Sequence, residues 1–334
     1  MIEKQIKTPD LSTTVSFPLK ERFTLRIVFM GTPEFAVASL DKLVMAGCNI
    51  VGVITAPDKA AGRGMQLQQS AVKKYAVEKG LDILQPEKLK NPDFLAELKA
   101  LKADLQIVVA FRMLPEVVWN MPPMGTINLH GSLLPQYRGA APINWAIING
   151  EKTTGVTTFK LQHEIDTGDL LMATAIPIGP TENAGELHDK MKAVGADLLL
   201  QTVKGLANGN LQEAPQDSIS GESNIELKHA PKIFTETCQV NWNKPVDEVY
   251  NLVKGLSPYP AAFTFLEGKK LKIYKSEKVL KTPTLAPGAY ETDQKTFLQF
   301  ACLDGHLSIE ELQLEGKKKM GIADFLRGYR WVEG

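Results

Sequence analysis

The fold is decided near the amino terminus, where residues 25–40 read LRIVFMGTPEFAVASL. Leu25–Met30 are largely apolar and predict a buried strand. Thr32 is expected to cap the following helix through its hydroxyl, with Pro33 at the first helical position. Apolar residues then recur at helical spacing until Gly47, which is typical of a helix end. A buried strand followed at once by a helix is the building unit of a parallel α/β sheet.

The same alternation continues along the chain. Further buried strands are predicted at Ile50–Thr55, Leu105–Ala110 and Thr126–Leu129, and a helix at Ala71–Lys79. This order predicts a doubly wound parallel sheet. Because ligands bind such sheets beyond the carboxyl ends of the strands, we expect the functional site just after Ala110 and Leu129.

A change in the residue pattern in the second half of the chain indicates another domain. Helical spacing ends near residue 206, and a polar stretch rich in Gly, Ser and Asn follows. We therefore expect an amino-terminal extension, a catalytic domain, a linker and a smaller carboxyl-terminal domain. Their predicted bounds are 1–24, 25–207, 208–232 and 233–334.

Short strand patterns dominate that last domain after a single helix predicted at Val246–Leu256. Asp304-Gly305 is a hairpin signal. The apolar alternation changes phase near Glu310-Glu311, which predicts a β-bulge. A small β-barrel is the expected architecture.

Composition limits the function classes. The 334 residues carry 38 Lys and Arg against 38 Asp and Glu, so a protein that coats nucleic acid through bulk charge is excluded, although a local basic patch is allowed. Three cysteines fit neither a disulfide framework nor a metal site, and no apolar run reaches the roughly 20 residues of a membrane helix. We expect a cytoplasmic protein with reduced core thiols, no bound metal and no membrane contact.

Chemistry-bearing residues concentrate in residues 128–142, which read NLHGSLLPQYRGAAP. Asn128 and His130 are two apart at a predicted strand end, so both side chains share one face. A carboxamide and an imidazole aimed at a reacting carbonyl suit oxyanion stabilisation and proton transfer. The alternative is a structural pair whose polar groups satisfy each other.

A second polar cluster is the tight loop Ile165–Asp169, which reads IDTGD. Asp166 would orient His130 and favour its charged form. The alternative is an Asx-type turn in which Asp166 or Asp169 caps backbone N–H groups.

Together these segments resemble the formyltransferases that use 10-formyltetrahydrofolate, most closely the members that act on methionyl-tRNA. The resemblance runs from about Leu25 to the end of the chain. It implies a Rossmann-like first domain and a carboxyl-terminal OB-like barrel that grips tRNA. The motifs that carry it are FMGTPEFAV (Phe29–Val37), PDKAAGRG (Pro57–Gly64), INLHGSLLPQYRGAAPI (Ile127–Ile143), GEKTTGVT (Gly150–Thr157), IDTGDLL (Ile165–Leu171) and, more weakly, LSPYPAAF (Leu256–Phe263).

The resemblance also implies roles for individual residues. Asn128, His130 and Asp166 match the family's catalytic set. The formyl donor would be 10-formyltetrahydrofolate, and the acceptor the amino group of methionyl-initiator tRNA. The chain departs from the family in the loop after Ala110, which is one residue shorter and lacks a glycine. The residues expected at the folate are Arg112, Met113, Leu114, Ser132, Leu133, Leu134 and Pro135.

The residues expected at the tRNA are all basic. Lys59 and Arg63 lie in a polar loop that the family uses at the acceptor end, where unstacked bases can be read. Lys269 and Lys270 lie on a strand pattern of the second domain. The alternative is that these charges are simply solvated, because lysines on an edge strand also prevent aggregation.

Three other functions compete with transfer to tRNA. The nearest is a formyltransferase acting on an amino-sugar nucleotide, which would share the catalytic set. A formyltetrahydrofolate hydrolase would need an amino-terminal regulatory module, and a non-catalytic RNA-binding protein would not need Asn128, His130 and Asp166 intact. We expect a monomer that acts on tRNA.

Overall fold

The computed structural model describes residues 24–61, 66–216 and 226–331. Almost all of the expected extension, Arg63 and part of the expected linker lie outside the described residues. The chain divides into two compact units that interleave in sequence. The first comprises Met1–Pro135, Gly155–Ala175 and Met191–Ile225, and the second Gln136–Thr154, Ile176–Lys190 and Glu226–Gly334, each within the described residues.

Ten strands and six helices are interspersed through residue 207 of the described chain. The strands are β1 (Arg26–Gly31), β2 (Asn49–Ile54), β3 (Lys59–Ala61), β4 (Gln66–Gln68), β5 (Ile83–Leu84), β6 (Leu105–Val109), β7 (Thr126–His130), β8 (Arg138–Gly139), β9 (Thr153–Lys160) and β10 (Leu170–Pro177). The helices are α1 (Glu34–Met45), α2 (Ala71–Glu78), α3 (Pro92–Ala100), α4 (Glu116–Trp119), α5 (Pro142–Ile148) and α6 (Ala184–Ala207).

The first unit is built on a seven-stranded sheet in the order β10-β9-β7-β6-β1-β2-β5. Strands β5, β2, β1, β6 and β7 are parallel, and β9 is antiparallel to β7. The chain leaves β1 toward β2 and β5 and then returns to β6 and β7 on its other side, so the predicted doubly wound sheet is confirmed. The order reverses between β1 and β6, which is where such sheets bind ligands.

Strand β1 is central because both of its faces are covered. Its residues Ile27, Val28, Phe29 and Met30 are all fully buried, as expected for a strand in a parallel sheet with helices on both sides. At its end, a Cβ on Gly31 would lie 2.6 Å from the Cβ of Ala36, so glycine permits the close return of α1 onto the strand.

The predicted cap of α1 is wrong by one residue. The helix begins at Glu34, and Pro33 occupies the cap position without a side-chain hydrogen bond. Pro33 has φ −82° and ψ 177°, so its backbone is still extended where the sequence predicted the first helical residue. Glu34 in the first turn instead places a negative charge near the positive end of the helix dipole.

The second unit contains an antiparallel sheet in the order β12-β13-β16-β15-β14, with β17 paired to β16. Its open strand order makes it a half-barrel, where the sequence predicted an OB-like barrel. The elements are β11 (His229–Ala230), β12 (Ala262–Leu266), β13 (Lys269–Val279), β14 (Tyr290–Thr292), β15 (Leu298–Ala301), β16 (His306–Leu314), β17 (Met320–Gly321), α7 (Val246–Leu256) and α8 (Ile322–Gly328).

Three local predictions for this unit are confirmed. Helix α7 covers the predicted residues. Asp304 and Gly305 lie in the turn between β15 and β16. On β16, Glu311 pairs with Lys275 but Ile309 pairs with Ser276, so Glu310 is the extra residue of the predicted bulge. Leu307, Ile309, Leu312 and Leu314 remain buried on both sides of it.

The three cysteines are buried free thiols, as the composition predicted. Burial raises the pKa of Cys48 to about 11 and that of Cys302 to about 12, so both thiols stay protonated near neutral pH. Among the described residues, no helix combines the length and apolarity needed to cross a bilayer.

Candidate active site

Asn128 and His130 lie at the carboxyl end of β7, on the edge of the sheet where β1 and β6 also end. On one side Asn128 pairs with Val108 of β6, and on the other with Phe159 of β9. His130 is only 6% exposed and Asn128 is half-buried. Because strand residues two apart share a face, the backbone brings the carboxamide and the imidazole together.

The imidazole of His130 is held between an aromatic ring and a carboxylate. Its ring meets Phe159 edge-on, with centroids 6.4 Å apart. Its Nδ1 lies 3.8 Å from Oδ2 of Asp166, and the two side chains are 7% and 12% exposed. The carboxylate of Asp166 therefore faces the imidazole of His130 in surroundings largely shielded from water.

Asp166 reaches His130 from a sharply bent loop. Its φ is +55°, in the left-handed region that few non-glycine residues adopt. Two residues later, a Cβ on Gly168 would lie 1.6 Å from the carbonyl oxygen of Lys160, so only glycine fits there. The N–H of Lys160 donates to the carbonyl of Asp169 at 2.9 Å. The loop is therefore folded tightly against the end of β9.

Sequence reasoning missed Gln216, which it assigned to the linker. This side chain is 2% exposed. Its Nε2 donates to the carbonyl oxygens of Asp166 at 2.9 Å and Gly168 at 2.7 Å. A lone glutamine in a polar stretch carries no periodic signal, so nothing in the sequence pointed to this contact.

The segment after His130 is fixed to β9 by a threonine that the sequence also did not single out. The hydroxyl of Thr157 donates to the carbonyl of Ser132 at 2.7 Å and accepts from the N–H of Leu134 at 3.2 Å. Ser132 is fully buried, and Leu134 packs with Phe159 and Leu170. Leu133 is half-buried and Pro135 is buried. The expected folate contacts of residues 132–135 stay a prediction.

The shortened loop after β6 lines a cavity of about 490 Å³. Arg112 donates through Nη1 to the carbonyl of Glu87 at 2.8 Å and through Nη2 to that of Pro86. Met113 is 74% exposed, whereas Leu114 is 9% exposed. The remaining lining residues are Lys88, Leu89, Lys90 and Pro115. The cavity lining thus combines cationic and apolar side chains.

Lys59 begins the β3–β4 hairpin and is exposed. Its neighbour Asp58 anchors the base of this hairpin, because its carboxylate accepts from Gln85 at 2.9 Å and from Lys73 at 2.5 Å. These two hydrogen bonds lower the pKa of Asp58. Arg63, the other expected tRNA contact of this loop, is outside the described residues.

Lys269 and Lys270 lie at the start of β13 in the second unit. Lys270 pairs with Phe265 of β12, and Lys272 pairs with Phe263. The ammonium of Lys270 lies 3.9 Å from the ring centroid of Phe263, and Phe265 is 49% exposed. We call Phe263, Phe265, Lys270 and Lys272 the basic-aromatic face.

The structure thus brings Asn128, His130 and Asp166 together in the first unit, which also contains Lys59, whereas Lys269 and Lys270 belong to the second unit. A carboxamide and an imidazolium can donate to an oxygen that gains negative charge, and the carboxylate can steady the imidazolium. Among the described residues, no three His, Cys, Asp or Glu side chains form a group that could hold a metal ion.

Comparison with known proteins identifies the family of the chain. The family described as formyl transferase matches residues 25–203, and the formyl transferase C-terminal domain matches residues 232–330. The chain is 57% identical over 316 residues to the methionyl-tRNA formyltransferase of Phocaeicola vulgatus, covering 93% of this chain and 97% of that protein. It is 54% identical over 314 residues to that of Bacteroides fragilis, covering 92% and 96%.

Solved structures show the same fold at low identity. A sugar 3N-formyl transferase, WlaRD, has a TM-score of 0.64 at 19% identity, covering 88% of this chain and 99% of that one. HypX from Aquifex aeolicus, in complex with tetrahydrofolic acid, has a TM-score of 0.61 at 19% identity, covering 92% and 50%. From these matches over nearly its whole length, the chain belongs to the formyl transferase family of enzymes.

Proposed function

We propose that this enzyme transfers the formyl group of 10-formyltetrahydrofolate to the free amino group of methionyl-initiator tRNA. The observation that carries the reaction type is the 3.8 Å approach of Asp166, from its loop, to His130, which lies on a strand that also carries Asn128. The acceptor is supported by the relatives named methionyl-tRNA formyltransferase, which are 54–57% identical over more than nine-tenths of the chain.

Asn128 and protonated His130 stabilise the formyl oxygen as the amine attacks the formyl carbon. Negative charge then gathers on that oxygen, and donors fixed in a site with little water interact with it strongly. Loss of one such donor typically costs about 2.7–4 kcal/mol of activation free energy, or roughly 10²–10³ in rate. The low exposure of His130 supports this role, because water competes little for its N–H.

Asp166 orients the imidazole of His130 and helps to move the proton of the attacking amine toward the leaving nitrogen. The 3.8 Å separation from Nδ1 is longer than a hydrogen bond. Catalytic hydrogen bonds are often long before substrate binds and shorten in the complex, so this distance suits the role.

The residues of the cavity beside Arg112 fit the chemistry of the formyl donor. A folate combines a flat ring system with a carboxylate tail. The cavity combines the apolar Met113 and Leu114 with the cations Lys88, Lys90 and Arg112. These residues would hold the donor, which supplies an already activated formyl group.

The tRNA is gripped by the second unit through its basic-aromatic face, together with Lys269. Aromatic rings can stack on unpaired bases, and adjacent ammonium groups attract the phosphates. The exposed ring of Phe265, paired with Lys270, supports this surface. Lys59 on the β3–β4 hairpin adds a positive charge at the first unit. We further propose that the enzyme works as a cytoplasmic monomer.

One experiment tests the proposed reaction. The protein is incubated with 10-formyltetrahydrofolate and, in turn, methionyl-initiator tRNA, an amino-sugar nucleotide and buffer alone. Formylmethionyl-tRNA should form, with no formyl-sugar product and no donor hydrolysis above background. A formylated amino sugar in place of formylmethionyl-tRNA would establish the competing transferase activity, and rapid donor loss in buffer would establish a hydrolase.

A further inference from the structure

A brace beside the catalytic loop is formed by residues 213–216, which follow α6. Leu170 of β10 and Ala214 exchange two backbone hydrogen bonds, of 2.8 and 3.0 Å. The ammonium of Lys160, at the end of β9, lies 2.5 Å from the carboxylate of Glu213. Both contacts fix the register of this segment against the strands that flank the Asp166 loop.

This register places the side chain of Gln216 against the loop that carries Asp166. Its single Nε2 donates to the carbonyl oxygens of both Asp166 and Gly168, at 2.9 and 2.7 Å. Both hydrogens of the amide nitrogen are therefore directed at the loop backbone. The side chain is 2% exposed, so water does not compete for these bonds.

The loop needs such support because its backbone is strained. Asp166 is held at a φ of +55°, which persists only where the surroundings determine it. A buried carbonyl without a donor is costly, so without the amide of Gln216 the loop would turn its carbonyls elsewhere. That rotation would carry the carboxylate of Asp166 away from Nδ1 of His130, which lies 3.8 Å from it.

We infer that Gln216 is a positioning residue that sets the direction of the Asp166 carboxylate toward His130. This inference rests on the proposed roles of Asp166 and His130. Gln216 touches the backbone of the catalytic loop, and its effect on the reaction passes through the carboxylate of Asp166.

The test replaces the amide with a side chain of similar length that cannot donate. Gln216→Met should lower kcat by about 10-fold to 10²-fold, because a misplacement of about 1 Å can cost that much. The KM for the formyl donor should change less than twofold. Gln216→Asn retains an amide on a shorter stem and should recover part of the lost kcat.

Gln106→Met is the matched control for loss of a buried amide. Gln106 is 1% exposed in β6 of the same unit, and its Oε1 accepts from the hydroxyl of Thr126. This variant should keep its kcat, and its thermal midpoint should fall less than that of Gln216→Met, because the buried amide nitrogen of Gln106 makes no hydrogen bond. If Gln106→Met lost kcat to the same extent as Gln216→Met, a general packing role would replace the proposed one.

A double variant separates positioning from structure. Because Gln216 acts through Asp166, adding Gln216→Met to Asp166→Asn should lower kcat by less than twofold further. If the kcat losses of the two single variants multiplied in the double variant, the inference would be overturned.

Wild-type enzyme that formylates no methionyl-tRNA would instead refute the proposed function, and a fully active Asp166→Asn would refute the role of Asp166. In folded variants, a kcat of Gln216→Met within twofold of wild type would overturn the positioning role alone.

Discussion

The charged groups at the carboxyl edge of the first sheet are shielded from water, whereas those at the basic-aromatic face of the second sheet are more exposed. At the edge, His130 and Asp166 have side chains only 7% and 12% exposed, and their neighbours fix the backbone around them. On the face, Phe265 is 49% exposed and Lys270 and Lys272 are partly exposed, and Lys269, next to the face, is exposed. Bond-making chemistry needs a few groups held in place with little water, whereas a polyanion can be held by exposed charges that each contribute little.

The largest effect should come from removing the imidazole at the edge. His130→Ala should lower kcat by roughly 10²–10³, since one donor to the developing oxyanion is lost. Its affinity for methionyl-tRNA should stay within twofold of wild type. Single-turnover formylation measures the rate, and tRNA binding at fixed salt measures the affinity.

His188→Ala provides the control, because His188 lies on α6 beside Asp189 and outside the catalytic edge. It should turn over at the wild-type rate. If His130→Ala kept near-wild-type turnover, the catalytic role of the edge would have to be abandoned.

The next largest effect is expected from a substitution in the loop that carries Asp166. In Gly168→Ala the new Cβ would overlap the carbonyl oxygen of Lys160, so the loop that carries Asp166 must move. We expect about 1–3 kcal/mol lower unfolding free energy, typical of overpacking, together with reduced turnover. Urea denaturation and steady-state kinetics measure the two.

Gly328→Ala is the matched change, because a Cβ there meets nothing within 4 Å. It should leave stability and turnover unchanged within error. Equal behaviour of the two alanine variants would mean that the loop is not confined as the geometry indicates.

A substitution on the basic-aromatic face should weaken tRNA binding and leave the chemical step unchanged. Phe265→Ala should weaken tRNA binding by about 1–3 kcal/mol, the usual contribution of one stacked base. Its kcat at saturating tRNA should match that of wild type. Phe265→Tyr retains a ring and should bind normally, and a fall in kcat with unchanged affinity would contradict the assigned role of this face.

The smallest effect is expected from a single exposed charge. Lys269→Ala should weaken binding of different tRNAs about equally and reduce the slope of log affinity against log salt by about 1. Binding titrations at several KCl concentrations give this slope. Lys281→Ala, exposed in the loop after β13, serves as the comparison and should leave the slope unchanged. An unchanged slope for Lys269→Ala would remove Lys269 from the interface.

Much of the fold could be predicted because it repeats a local pattern. The buried run at Leu25–Met30 and the spacing of Val246–Leu256 give their elements directly, because apolar periodicity reports which face is buried. The start of α1 was placed one residue too early, because Pro33, whose fixed φ suits a first helical residue, adopts the extended backbone of a cap residue. Strands β9 and β10 gave no clear signal, although both flank the site.

The sequence by itself determined the doubly wound sheet, the bulge near Glu310 and the pairing of Asn128 with His130 on one strand face. These follow from residue types at fixed short spacing. Only the tertiary structure decided that the amide of Gln216 supports the loop of Asp166, that Thr157 fixes the segment after His130, and that Phe265 lies opposite Lys270. The first two contacts join residues far apart in the chain, and the geometry of all three exists only once the strands and loops have packed.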